Sequence, residues 1–352
     1  MSSGDQPRFI PALTGLRGLG AIWVFLYHLV DDPSFPGVKL GFLGVDLFFV
    51  LSGFVLIHVY RWQLEGGGWE AYRNFLQARL ARIYPLHLAS LLLVLCVVLV
   101  VPGFADRYHT SGRWSYENFA AQLLLIQNWG YFFPTSWNTP AWSLSAEWAG
   151  YLVFPVFLLG VRWVRSPTVA ICLASACVLG VPAILNVWGA PHSATGSPGM
   201  ARMLCGMAAG VLAYVFFVGK RILPVLPCSA VIAGLLVLAN LPGMVWAGNL
   251  LILPLLLLAA QMDNPVARTL SSRPMMFLGE ISFSIYLLHW IVLQLNNWVG
   301  DVWPWLDQWV LLRMICVTVV VLILSWASYL WVELPARRMG RRISLPLSHV
   351  AA

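Results

Sequence analysis

Any chemistry in this chain has to begin with Arg17 and His28. Both fall in "TGLRGLGAIWVFLYHLV", Thr14 to Val30, an otherwise apolar run. An ionisable group deep in lipid costs on the order of 2.5–3.5 kcal/mol on insertion scales, so it usually faces a protein interior or a watery cavity. The two positions are eleven residues apart, which in an α-helix is about 16 Å of rise and about 20° short of a shared face. They line one stripe at different depths. An arginine there can hold an anion, and a histidine can take and return a proton near neutral pH. The plainer alternative is a structurally paired arginine and an interfacial histidine.

Other charges fall at a similar level. Asp46 opens "GFLGVDLFFVLSGF", Glu147 enters "NTPAWSLSAEWAGYLVFP", and Arg202 and Arg313 each begin or lie just inside an apolar run. A carboxylate beside a histidine orients the imidazole and stabilises its protonated form, the makings of a general base. Either carboxylate would serve equally as an ion-pair partner for Arg202 or Arg313. His289, in "SFSIYLLHW", is a mid-span histidine, and the commonest fate of such a residue is a hydrogen-bonded core position. Gly41, Gly44 and Gly53, with Ser52, supply small residues for close helix approach. In a sharper reading they thin the wall of a channel for an extended ligand.

The elements that must position these groups are membrane helices. Of 352 residues, 60% are hydrophobic and 10% charged, and the mean hydropathy is +0.78, far from a soluble globular composition. The chain is expected to be an all-α, multi-pass membrane protein. About 20 apolar residues make a span, and ten stretches qualify: roughly 9–30, 43–60, 84–102, 140–161, 168–188, 202–219, 225–241, 246–262, 276–299 and 308–332. The segment 118–135 is apolar but carries Gln122, Gln127, Asn128 and Trp129, which favours a re-entrant or interfacial piece over an eleventh span.

The net charge of +7 is accounted for by orientation and needs no nucleic acid. With both termini cytoplasmic and ten spans, the inside receives Arg8, Arg61, Arg73, Arg79, Arg82, Arg162, Arg165, Lys220, Arg221, Arg268, Arg273, Arg337, Arg338, Arg341 and Arg342, fifteen in all, against Lys39, Arg107 and Arg113 outside. That is the positive-inside bias, and an eleventh span would destroy it. The first apolar run is longer than a signal-peptide core and has no clear cleavage site, so the first helix is expected to stay in the mature protein. The six cysteines lie in or beside apolar spans without metal-ligand spacing and read as packing residues, with no metal site. The sequence reads as one membrane domain, 1–342, with a short tail, 343–352. In 61–83, Leu76, Leu80 and Ile83 recur at helical spacing with Arg79 and Arg82 on another face, as in a short amphipathic helix at the membrane surface.

These motifs come in a known order. Arg17 and His28 with ten residues between them, "GFLGVDLFFVLSGF", "RLARIYP" (Arg79 to Pro85), "NTPAWSLSAEW" (Asn138 to Trp148) and "SFSIYLLHW" (Ser282 to Trp290) together resemble the acyltransferase 3 family over roughly 7–340. The resemblance implies an integral-membrane O-acyltransferase of a bacterial inner membrane. Such enzymes move an acyl group, often acetyl, from cytoplasmic acyl-CoA to a hydroxyl of an exported glycan or, in some members, a macrolide. It implies that His28 is catalytic, that Arg17 is its essential partner, and that Arg79 and Arg82 help hold the donor's phosphates, which guanidinium groups suit geometrically and electrostatically. Glu147 matches the acidic position of the tryptophan and serine motif. Tyr84 and Ser52 join the donor-side candidates, and Trp142, Ser143, Arg202, Arg313 and His289 the acceptor side. Many members carry an extra hydrolase-like domain after the last helix, and this sequence ends about twenty residues past it.

The expected partners are therefore acyl-CoA as co-substrate, a hydroxyl acceptor and the lipid bilayer, together with a second copy or a glycan-assembly protein. No permanently bound cofactor is expected. His28, oriented by Asp46 or Glu147, either takes the proton of the attacking hydroxyl or is itself acylated first. The competing classes are a secondary transporter, for which buried Arg, His and Glu are also reasonable, and a non-catalytic assembly subunit. Missing internal repeats count against the transporter. Trp129, Trp137, Trp142, Trp298, Trp303 and Trp305 would stack on sugar rings at the outer face, or form an ordinary aromatic belt.

Overall fold

A computed structural model describes residues 8–30, 37–107, 112–130, 132, 134–219 and 222–344. Lys220, Arg221, parts of the two expected outer loops (31–36 and 108–111) and the tail beyond 344 lie outside the described residues. Among the described residues there is no β-strand. The principal helices are α1 (Pro11–Leu29), α2 (Leu43–Gly66), α3 (Gly68–Val100), α4 (Tyr116–Leu123), α5 (Ala141–Val161), α6 (Pro167–Val187), α7 (Gly196–Val218), α8 (Val225–Ala239), α9 (Ile252–Ala260), α10 (Pro265–Leu270), α11 (Arg273–Glu280), α12 (Ser282–Val302), α13 (Val310–Ser328) and α14 (Leu334–Ser344).

Among the described residues seven helices are long and apolar enough to cross a membrane: α1, α2, α3, α5, α6, α7 and the run Pro304–Met339 containing α13. The pair α11 and α12 makes an eighth, bent by 64° at its break. Two shorter apolar helices, Val225–Ala239 and Val245–Ala260, cover the remaining stretches. The protein is a multi-pass membrane protein. Each of the ten apolar stretches falls on helix, and three of them lack a straight, uninterrupted span. The segment 118–135 contributes only the eight-residue α4, too short to cross. Residues 61–66 end α2, while the rest of the amphipathic piece, from Gly68, and the span expected at 84–102 are one 33-residue helix, α3, because Pro85 inside it removes a single hydrogen-bond donor without ending the helix.

Contacts group the chain into two compact units. The first comprises 1–65, 153–194 and 198–282 and is packed through glycines. A Cβ on Gly53 of α2 would lie 2.1 Å from the Met207 carbonyl oxygen of α7, and one on Gly210 of α7 would lie 2.0 Å from that of Val50. Backbones that close exclude any side chain, and this is the small-residue packing used where lipid offers no hydrophobic drive. The glycines of "GFLGVDLFFVLSGF" thus seat helices: Gly44 lies against Gly20 of α1 and Gly53 against α7. The same device packs α11 against α1, because a Cβ on Gly279 would meet the Thr14 carbonyl oxygen at 2.1 Å. Leu16, Leu47, Val50, Phe54, Ala209, Ala213 and Leu256 fill the core between these contacts.

The second unit comprises 66–152, 195–197 and 283–352. Its longest element, α3, packs along α14. It is tied to α5 by the Tyr72 hydroxyl donating to the Leu152 carbonyl, 2.7 Å. The turns after α4 are held by side chains: Gln127 Nε2 donates to Ala141 O, 2.9 Å, and Ser145 Oγ to Leu125 O, 2.7 Å. Buried polar groups must be paired, and these amides supply the pairing that an irregular segment lacks.

Candidate active site

In the first unit, His28 stands at the end of α1 with an exposed side chain. Its Nδ1 lies 2.9 Å from the Val24 carbonyl oxygen. A carbonyl only accepts, so Nδ1 carries the proton and the lone pair sits on Nε2, the form that can act as base or nucleophile. Tyr27 packs edge-on against the imidazole, ring centroids 5.0 Å apart; Phe42 packs on Tyr27 at 6.1 Å and on His192 at 6.3 Å. An aromatic line therefore runs from His28 to a second histidine in the turn between α6 and α7. Arg17, one face of α1 back, is half-buried, as is Ser52 on α2.

Asp46 and Arg202 form the charged centre of this unit. Arg202 donates through Nε to Asp46 Oδ1 and through Nη2 to Oδ2, both at 3.0 Å, and through Nη1 to the Ala194 carbonyl at 2.9 Å. Arg202 is 1% and Asp46 4% exposed, so the pair is dry and bidentate. Of the alternatives open for Asp46, this geometry is the ion pair, and both its oxygens are engaged by the guanidinium. His192 sits beside it. Burial first, and then the Arg202 guanidinium, hold its imidazole below the ordinary histidine range, against an opposing pull from Asp46. The sign follows: below about pH 6.5 the unfolded histidine takes up a proton that the folded one resists, so stability falls as pH falls. Thermal midpoints measured from pH 7.5 down to 5.5 should decline less steeply in His192→Gln than in the parent. Parallel declines would show that His192 does not contribute.

In the second unit, Arg79, Arg82 and Glu147 meet around one phenol. Tyr151 of α5 is buried, hydrogen-bonded to Glu147 and within the electrostatic reach of both arginines. Both arginines are half-buried. Phosphate is the chemistry such a patch suits. Tyr84 lies one turn on, its ring 6.1 Å from His87. Glu147, read from sequence as a partner for the histidine, stands with these arginines.

The acceptor-side candidates have defined places. Ser143 Oγ and the Tyr286 hydroxyl share a hydrogen bond of 2.6 Å, and both oxygens donate to or share Pro140 O. Trp142 is buried. His289 is wholly buried with Nδ1–H donating to Ile285 O at 3.0 Å, the geometry of a core histidine. Arg313 pairs with Asp307 and donates to Asn296, beside a cavity of about 530 Å³ lined by Trp305, Trp309 and Leu312.

Sequence reasoning passed over three groups. His87 of α3 is wholly buried, with Nε2–H donating to Gln122 O at 2.7 Å. Glu333 is 1% exposed in the π-helical turn Tyr329–Glu333, where it accepts from Ser284 and pairs with Arg337. Tyr151 is the third. His87 and Glu333 were detectable by the argument applied to His28, since each is an ionisable residue within an apolar run. Among the described residues no group of His, Cys, Asp and Glu is arranged to hold a metal.

The family described as acyltransferase domain, acyltransferase 3, matches residues 10–330. The chain belongs to that family and is an acyltransferase. It is 30% identical to the acyltransferase MdmB of Streptomyces mycarofaciens, over 82% of this chain and 80% of that protein. To the peptidoglycan O-acetyltransferase OatA of Listeria monocytogenes it is 26% identical, over 95% of this chain and 56% of the relative. To the putative peptidoglycan O-acetyltransferase YrhL of Bacillus subtilis it is 27% identical, over 95% and 56%. The chain thus spans little more than half the length of these two peptidoglycan relatives. No solved structure matches.

Proposed function

We propose that this protein transfers an acetyl group from cytoplasmic acetyl-CoA to a hydroxyl of a carbohydrate or glycoconjugate on the far side of a bacterial inner membrane. The observation that carries the reading is the family match over residues 10–330, and the Nδ1 contact of His28 with Val24 O supports it by making Nε2 the basic nitrogen of the ring. The positive-inside count supports ten crossings with both termini cytoplasmic. Acetyl-CoA is too polar to cross, while its pantetheine arm is long and thin. Arg79 and Arg82 are the residues assigned to the nucleotide phosphates, whose charge guanidinium groups match, and Arg17 and His28 those assigned to the thioester end.

In the direct course, Nε2 of His28 removes the acceptor's hydroxyl proton as its oxygen attacks the thioester carbonyl. The carbon–sulfur bond then breaks, and the CoA thiolate leaves with the proton returned from His28. In the two-step course Nε2 attacks the carbonyl, the carbon–sulfur bond breaks and CoA leaves as its thiolate; the acceptor oxygen then attacks the acetyl-imidazole, the carbon–nitrogen bond breaks, and the hydroxyl proton ends on the thiolate or the imidazole. Hydroxyl acceptors outside the glycans, such as a macrolide, are handled by the same steps.

The purified full-length protein, given labelled acetyl-CoA with either diacetylchitobiose or a macrolide, should acetylate one of them. Release of no CoA with either would defeat the reading. Replacing Arg79 and Arg82 with Gln should raise the KM for acetyl-CoA about 10- to 100-fold, the loss expected for charge-assisted bonds to phosphate, with a smaller change in the acceptor KM. An unchanged donor KM would remove these arginines from the donor site.

A further inference from the structure

The surroundings of His28 are braced from a distance, by residues that all belong to the first unit. Gly37 is the pivot. Its N–H donates to Oδ1 of Asn240, 2.8 Å away at the end of α8, and its carbonyl accepts from Nε1–H of Trp23 on α1 at 2.7 Å. One residue thus ties α1 to a helix end 203 positions further along the chain. It does so with φ at 85°, in the left-handed region that favours glycine. Lys39 Nζ donates to the Asn240 backbone carbonyl at 3.1 Å, and Asn240 Nδ2 donates within its own helix to Leu236 O at 2.7 Å.

From Gly37 the chain turns through Val38–Leu40 into a close seat on α1. A Cβ on Gly41 would lie 2.3 Å from the Trp23 carbonyl oxygen and 2.5 Å from Tyr27 Cβ. Leu40, Phe42, Leu43, Ala239 and Ala247 form a small buried cluster against which Trp23 and Tyr27 pack. Phe42 rests on the Tyr27 ring, and Tyr27 stands edge-on to the His28 imidazole. We propose that Asn240 is a positioning residue: through Gly37 it seats Phe42 and Tyr27, and so fixes the orientation in which His28 meets the reacting groups.

An exposed side chain at a helix end is free to exchange rotamers unless its neighbours forbid it, and a misplacement of about 1 Å at the chemistry costs up to about a hundredfold in rate. Tyr27 supplies the restraint, and the turn from Gly37 to Phe42 holds Tyr27. The amide of Asn240 makes two separable bonds. Its donor is spent on the last turn of α8, and its acceptor reaches across to Gly37. A carboxylate in its place keeps the bond across and loses the one within the helix, whereas an aliphatic side chain keeps neither. That difference distinguishes bracing from helix capping.

This inference rests on the reading of His28 as base or nucleophile, so its test reads the imidazole apart from turnover. In the full-length protein, carbethoxylation of His28 by diethylpyrocarbonate is followed on its own peptide by mass spectrometry. The kcat and the acetyl-CoA KM are measured alongside, with whichever of diacetylchitobiose and a macrolide the parent acetylates. Asn240→Leu should lower kcat at least about tenfold, leave the acetyl-CoA KM within about twofold and change the carbethoxylation rate at least about threefold. Asn240→Asp, which retains the acceptor for Gly37 N–H, should match the parent in all three. Trp23→Phe, which keeps an aromatic ring and removes the Nε1–H donor, should reproduce the leucine variant. In a Tyr27→Ala protein, Asn240→Leu should cost nothing further, because the path is already cut. A kcat loss that Asn240→Asp shares, a loss undiminished in the Tyr27→Ala background, or parental His28 reactivity in both brace variants would overturn the proposal. If the parent transfers no acetyl group, a shifted His28 reactivity restored by Asn240→Asp would support the brace and defeat the acetyl-transfer reading; normal transfer with unshifted reactivity would do the reverse.

Discussion

His28→Ala should lower acetyl transfer by at least about a hundredfold while leaving the acetyl-CoA KM within a few-fold. General acid–base catalysis contributes roughly 10²- to 10⁴-fold, and a residue that carried the acetyl group itself would leave nothing when removed. The variant should be stably folded, because the lost side chain is exposed and its contact with Val24 O lies within its own helix. Trapping separates the two courses: acid-quenched enzyme incubated with labelled acetyl-CoA alone retains label in the two-step course and none in the direct one. A His28→Ala protein that consumed acetyl-CoA with acceptor at the parent's rate would exclude both.

The second large effect is on stability. Asp46→Leu alone should destabilise the protein by about 3–5 kcal/mol, since it strands Arg202 as an uncompensated buried charge. Arg202→Met alone should cost a similar amount by stranding Asp46. The double variant Asp46→Leu/Arg202→Met should recover most of the loss, because removing both charges also removes their desolvation cost. Unfolding in detergent, followed by helical signal for the four proteins, measures this coupling. Additive losses in the double variant would show that the two residues act independently, against the bidentate geometry observed between them.

The stripe of Arg17 and His28 was legible in the sequence because it violates a rule: ionisable groups do not sit in lipid-facing runs without cause. That the apolar stretches form helices was legible for the complementary reason, although among the described residues only seven helices, or eight with the bent pair, are long and apolar enough to cross. Pairing was not. Asp46 and Arg202 are 156 residues apart, and what joins them is the close approach of α2 and α7 over Gly53, Gly206 and Gly210, which apolar periodicity alone does not specify. Glu147 was assigned by its depth in one helix, whereas its company in the second unit depends on which face of α5 meets α3. The merger of an amphipathic piece and a span into α3 was hidden by Pro85, which reads as punctuation in sequence and is tolerated in this helix. His87 was missed for a different reason. It stands in a run taken only as a span, although it breaks the same rule as His28.

The length of α3 has a mechanical meaning. Thirty-three helical residues extend about 50 Å, against a hydrocarbon layer of about 30 Å, so a rod of this size must project well past the layer or lean within it. Arg79 and Arg82 lie below Pro85, and His87 lies two residues above it. The proline deletes one rung of the ladder at the only point between them. The arginines and the histidine thus belong to one continuous rod whose bonding is interrupted by a single missing rung between them.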